Sequence, residues 1–396
     1  MPGGVALPVM TKWGLRVAMA LAVVASACSS GAHKHAAAVP TTVPDKTANG
    51  ASALSPAPGA PLGQNIYAAT GVGDFAAATK DVPYRIYVPN SDGSSVDVIN
   101  PETYKVIDHY PVDRNPQHVV PAWDLRTLYV ANDLSSSLTP IDPVTGKPSG
   151  PNIPVDDPYN MYFTPDGASA IVVAEAHRHL DFRDPHTFAL QTRVPVTCKG
   201  IDHMDFSADG RYLIASCEFS GQVVKVDVAT RQVVGYLATG GAPQDVKVDP
   251  AGKIFYVADM KAGGLHEIDG DRFTEVGFLP TGPETHGLYP SRDARFMYVT
   301  NRGGAARHGS ISVVDFTTRQ VVQTWKLPGN TTPDMGGVSP DGKILWVSGR
   351  RDRAVYAIDT TTGAIVARIR VGAGPHGLCV WPQPGRYSLG HTGILR

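Results

Sequence analysis

A short apolar segment returns along the chain at a nearly fixed interval. Its clearest copies are Met297-Tyr298-Val299-Thr300-Asn301, Leu128-Tyr129-Val130-Ala131-Asn132, Phe255-Tyr256-Val257-Ala258-Asp259 and Leu345-Trp346-Val347-Ser348. Fainter copies begin at Ile86, Ile171 and Leu213. The second residues of the copies fall at 87, 129, 172, 214, 256, 298 and 346, in steps of 42, 43, 42, 42, 42 and 48. A unit of that length holding several short strands cannot bury its own apolar face, so consecutive units must pack on one another. The expected fold is all-β, a seven-bladed β-propeller.

One unit can be read in full from Gly200 to Thr239. Met204-Asp205-Phe206 makes a short inner strand, and Ser207-Ala208-Asp209-Gly210 makes a tight turn whose glycine accepts positive φ. Arg211 to Cys217, Gln222 to Asp227 and Val233 to Leu237 supply three further strands. The turn recurs as Pro165-Asp166-Gly167 and Pro340-Asp341-Gly342. Over roughly residues 84 to 385 this pattern resembles the YVTN family of β-propeller repeats, which includes bacterial YncE-like proteins. The resemblance implies four-stranded antiparallel blades, and it leaves activity open because propellers host unrelated functions. The first unit lacks an inner strand, whereas Gly374 to Trp381 follows the seventh unit as a spare one. This C-terminal strand is expected to complete blade one and close the ring, removing the exposed edges.

Composition limits what surrounds this domain. Lys+Arg is 35 against Asp+Glu 36, so no basic field draws in nucleic acid. Lys12 and Arg16 precede an apolar run from Val17 to Ala25, too short for a permanent span. Residues 1–28 read as a signal peptide. Cys28 resembles the acylated cysteine of a bacterial lipoprotein box, although Ala25-x-Ala27 suits ordinary secretory cleavage as well. Residues 29–64, rich in Ala, Pro and Thr, read as a disordered tether, and 65–396 as the propeller. The protein is expected outside the cytoplasm, as a membrane-anchored lipoprotein or a secreted or periplasmic protein. Cys198 and Cys217 can pair there.

In such blades the link entering the inner strand and the loop between strands two and three share one face. Equivalent positions in the entering links give two adjacent columns. One holds His118, Asn160, His203, Asp245, Gly287 and Met335; the other holds Gln117, Tyr159, Asp202, Gln244, His286 and Asp334. The closing segment adds His376. Regular strand alternation allows only one of two adjacent columns to face inward. His118, His203, His286 and His376 are the candidate ring at the channel mouth, for a ligand or a transition metal. The same histidines could instead satisfy loop backbone groups. Glu175 and Glu218 could orient them. Asn301, Arg302 and Arg307 lie in the longest loop of that face and could clamp an anion, with Arg350, Arg351 and Arg353 in the matching loop of the next unit.

No GxSxG, HExxH, P-loop or dinucleotide fingerprint occurs. The expectation is a binding or interaction module for a small anionic ligand or a protein partner, held at the membrane by a lipid anchor. A metal- or haem-dependent redox enzyme is the alternative, through a loose similarity to propellers that hold haem d1. Single-stranded DNA binding, suggested for some YncE-like proteins, is a further one, disfavoured by the balanced charge.

Overall fold

A computed structural model describes residues 65–391 and 393–396. The leader, Cys28 and the tether lie outside the described residues. Among the described residues no helix is long and apolar enough to cross a membrane. Seven antiparallel sheets form the blades of a propeller. The second strand of each blade, such as Leu128–Asn132 and Phe296–Asn301, is buried along almost its whole length. It is covered by a neighbouring blade on each side, so it is a continuous apolar run rather than an alternating one. Outer strands such as Gln320–Lys326 alternate between exposed and half-buried positions, because one face meets solvent.

The ring closes at blade one, where Cys379–Trp381 pairs with Arg85–Asn90 through Tyr87↔Cys379, Ile86↔Val380 and Arg85↔Trp381. Trp381 is fully buried there. The polar residue ending the second strand is a bracket within the blade. Asn301 Nδ2 donates to Ser310 Oγ and Ser312 Oγ, both at 3.1 Å, and Asn132 and Asn90 make equivalent bonds to their third strands. The tight turns work as their composition predicts: Ser207 Oγ donates to Asp209, Gly210 N–H donates to Ser207 O, and Gly210 has φ 69°. Cys198 and Cys217 are joined as a disulfide with Cα atoms 6.0 Å apart, and Cys379 is a buried thiol.

Two features exceed the repeat. Inner strands are tied across blades by side chains: Asp205 Oδ2 accepts from Val248 N–H at 3.0 Å and Asp245 Oδ2 from Leu288 N–H at 2.8 Å. In addition, the C-terminal tail adds a hairpin, Ser388–Gly390 and Ile394–Leu395, to the inner strand of blade three, Pro158–Phe163. That blade therefore carries six strands.

Candidate functional site

Both adjacent columns of the entering links face the channel, contrary to simple alternation. The reason is a register shift in the inner strands of blades two to seven, for example between Ile201 and Met204, Pro243 and Val246, and Thr285 and Leu288. A bulge gives two residues where the partner strand has one, and re-aims a side chain. The displaced backbone is stitched by the hydroxyl of the second strand: His203 N–H donates to Ser216 Oγ, and Gly287 N–H donates to Thr300 Oγ1. Asp202 and His203 are consequently both fully buried although adjacent in sequence.

The channel holds five imidazoles: His118, His203, His286, His376 and His391. Neighbouring ring centroids are 4.8 Å apart for His118–His376 and His203–His391, 5.3 Å for His118–His203 and 6.2 Å for His203–His286. His391 arrives on the C-terminal tail, outside the repeats, its N–H donating to Met161 O. Gly390 permits that approach, since a Cβ there would stand 2.5 Å from Met161 O. Gly377 has the same role for His118, whose Cδ2 would lie 2.1 Å from an added Cβ.

Each ring is oriented by a neighbour. His118 Nδ1–H donates to Tyr159 O at 2.9 Å, and His376 Nδ1–H donates to Gln117 Oε1 at 2.8 Å. Asn160 Oδ1 accepts from Met161 N–H, which aims its Nδ2 at His203 Nδ1 (3.2 Å) and His391 Nδ1 (2.8 Å). Burial first, and the neighbouring positive groups second, push all five imidazoles well below their ordinary pKa. They are neutral near pH 7, so each ring carries one proton and one nitrogen lone pair. Several polar atoms in the channel lack a hydrogen-bond partner among the described residues, Nε2 of His118 and His391 and Asp334 Oδ2, whereas His203 Nε2 faces Asp202 Oδ1 at 3.1 Å. Buried groups of this kind are costly to leave unpaired and mark a place where an ion can sit.

At the mouth, burial raises Glu175 to about 8 and Asp133 to about 7, with Glu218 adding to the first and the hydrogen bond from Asp157 to the second. Glu218 and, more strongly, Asp202 are raised as well, again mainly by burial. These folded-state carboxyls hold a proton over a range where the unfolded chain has lost it. The stability that Asp133 and Glu175 contribute is complete below the ordinary carboxyl range and is lost as pH rises through 7 and 8. The protein should therefore melt lower at pH 9 than at pH 6, by a few degrees in a chelator-containing buffer. Glu175→Gln should flatten the slope; a flat wild-type profile would contradict the protonated mouth.

The other sequence candidates divide. Arg302 is buried and turned inward, its Nε donating to Asp334 Oδ1 at 2.7 Å and its Nη2 bonding the same oxygen. Arg307 is exposed on the loop. Asn301 is engaged inside its blade and offers nothing to a ligand. Asp245 faces His391 Nε2 at 3.6 Å while tying two inner strands. Glu175 and Glu218 stand at the mouth, and the groups bonded to imidazole are others: Asn160, Gln117 and the Tyr159 carbonyl. His391 escaped the sequence reading because no repeat position contains it. A further group, Asp156, His177 and His179, is already crosslinked to Arg193 and Asp181.

A family profile described as YNCE-like beta-propeller matches residues 54–384. The dihydro-heme d1 dehydrogenase of Pseudomonas aeruginosa is 24% identical over 282 residues, 67% of this chain and 53% of that protein, so the chain spans about half its length. The uncharacterized protein YncE of Salmonella typhi is 24% identical over 312 residues, 71% of this chain and 83% of that protein. Among solved structures, the periplasmic gluconolactonase PpgL of Pseudomonas aeruginosa superposes with a TM-score of 0.63 at 20% identity, covering 76% of this chain and 99% of that one. That last likeness concerns the fold alone. Matched over most of its length by the family profile, the chain belongs to the YncE-like β-propeller family.

Proposed function

We propose that this protein is an exported metal-binding propeller, in which His118, His203 and His391 hold a divalent transition-metal ion in the central channel. The observation that carries the reading is that these three buried imidazoles offer nitrogen atoms all within 4.8 Å of one another. A set of neutral imidazoles suits zinc, copper, iron or nickel far better than calcium or magnesium. Three protein ligands leave a coordination position open. Arg350, whose charge depresses His118 and His376 and whose Nη1 is unpartnered, would favour a small anion there. The binding module thus keeps the anionic ligand as a co-ligand of the metal. Export and lipid anchoring through Cys28 remain part of the proposal.

Neighbouring imidazole centroids in the channel are 4.8–6.2 Å apart, a spacing that favours a bare ion shared between rings as the reading, so the dehydrogenase relative's chemistry is not carried over. Elemental analysis of the untagged chain, loaded with Zn2+ and desalted, tests the reading: bound zinc in stoichiometric amount is expected, and its absence would overturn it.

The same geometry predicts an improvement. In the arrangement described, Asn160 Nδ2 donates toward Nδ1 of His203 and His391, which places the ring protons on Nε2. Coordination through Nε2 needs the opposite tautomer, with Nδ1–H donating outward. Asn160→Asp supplies a carboxylate able to accept both, and should tighten zinc binding about tenfold by competition with a chromogenic chelator. Unchanged or weaker binding would show that coordination does not run through Nε2 of these rings.

A further inference from the structure

We infer that the channel holds a second metal ion beside the first, bound by His286, Asp334 and His376, so that the propeller carries a two-metal centre. The inference rests on the metal-binding reading and extends it. The three residues offer ligand atoms all within 4.8 Å of one another, and each is at most 2% exposed. The chemistry of Asp334 is the decisive part. Arg302 occupies Oδ1 through both Nε and Nη2, so that oxygen is satisfied and the carboxylate is locked in orientation. Oδ2 has no hydrogen-bond partner and lies 3.7 Å from His376 Nε2. Gln117 Oε1 accepts the Nδ1 proton of His376 at 2.8 Å. The Nε2 lone pair therefore points at a carboxylate oxygen. Two acceptors facing each other in a buried site repel, and a cation between them turns the repulsion into coordination. His286 Nδ1, 3.1 Å from Asp334 Oδ1 without forming a hydrogen bond, completes the set.

The two triads lie side by side in the channel. His376 and His118 are 4.8 Å apart between centroids, and His286 and His203 6.2 Å. Two cations this close need compensating charge, and Asp245 and Asp334 are fully buried carboxyls beside the rings. Paired metals with an opening to solvent can hold one small anion between them. The Arg302 side chain, paired with Asp334, and Arg350 at the mouth make that anion's approach favourable.

The test is metal stoichiometry in the untagged full chain, loaded with Zn2+ and desalted, alongside a Cu2+-loaded sample read by electron paramagnetic resonance. Two zinc ions per chain and a spin-coupled copper signal are expected. His376→Ala and the near-isosteric Asp334→Asn should each fall from two to one, with the remaining copper uncoupled; His391→Ala should lose the other ion. One zinc in the wild type, unaffected by Asp334→Asn, would overturn the second site while leaving the first. No zinc in the wild type would overturn the metal reading itself. Asp334→Asn keeps shape and a partner for Arg302, so its circular dichroism and melting curve separate metal loss from misfolding.

Discussion

His391→Ala and His203→Ala are each expected to weaken zinc binding at the first site by more than about a hundredfold. Removing a group that merely orients a metal-bound histidine already weakens affinity roughly 10–100-fold, and loss of the ligand itself exceeds that. The two variants probe different parts of the fold. His203 sits on a bulged inner strand held by Ser216, so the ring's loss leaves the backbone stitching in place. His391 rides on the tail hairpin, and its backbone N–H bond to Met161 O survives truncation to alanine. Equal losses in both, measured by chelator competition, would place the ion between repeat and tail. Wild-type affinity in His391→Ala would remove the tail from the site.

The second large effect concerns the end of the chain. Arg396 is 6% exposed and its Nη2 lies 2.8 Å from Asp205 Oδ1, with Asp205 1% exposed. The guanidinium also stands over the Tyr67 ring at 4.8 Å. Asp205 cannot turn away, because its other oxygen holds Val248 N–H of the next blade. Arg396→Met leaves a buried carboxylate without its charge partner and should destabilise the protein by about 3–5 kcal/mol. For a chain of this size that corresponds to a fall of roughly 6 °C in Tm. Adding Asp205→Asn should recover part of the loss, since the amide oxygen still accepts from Val248. A melting temperature unchanged by Arg396→Met would mean that the tail is only loosely docked.

Much of the fold was legible because the repeat is a property of local pattern. The buried second strand, the Ser-Ala-Asp-Gly turn and the spare strand at Cys379–Trp381 each carry their own signal, and the ring closes as that signal requires. The histidines of the entering links were legible by register alone. The role of Asn301 was not, because a polar residue at a strand end looks the same whether it faces a ligand or brackets Ser310 and Ser312. Nor was the double column, since a bulge is invisible to period-two counting until the partner strand is known. His391 depends on where a non-repeating tail lands, which no spacing encodes. Arg302 was placed on the right face, but its pairing with Asp334 joins residues 32 apart on neighbouring blades.

The most direct measurement is an X-ray absorption spectrum of the zinc-loaded, untagged protein. A shell dominated by imidazole nitrogen at about 2.0–2.1 Å is predicted, weakened in His203→Ala and His391→Ala. A shell of oxygen atoms only, unchanged in those variants, would contradict the histidine-lined metal centre.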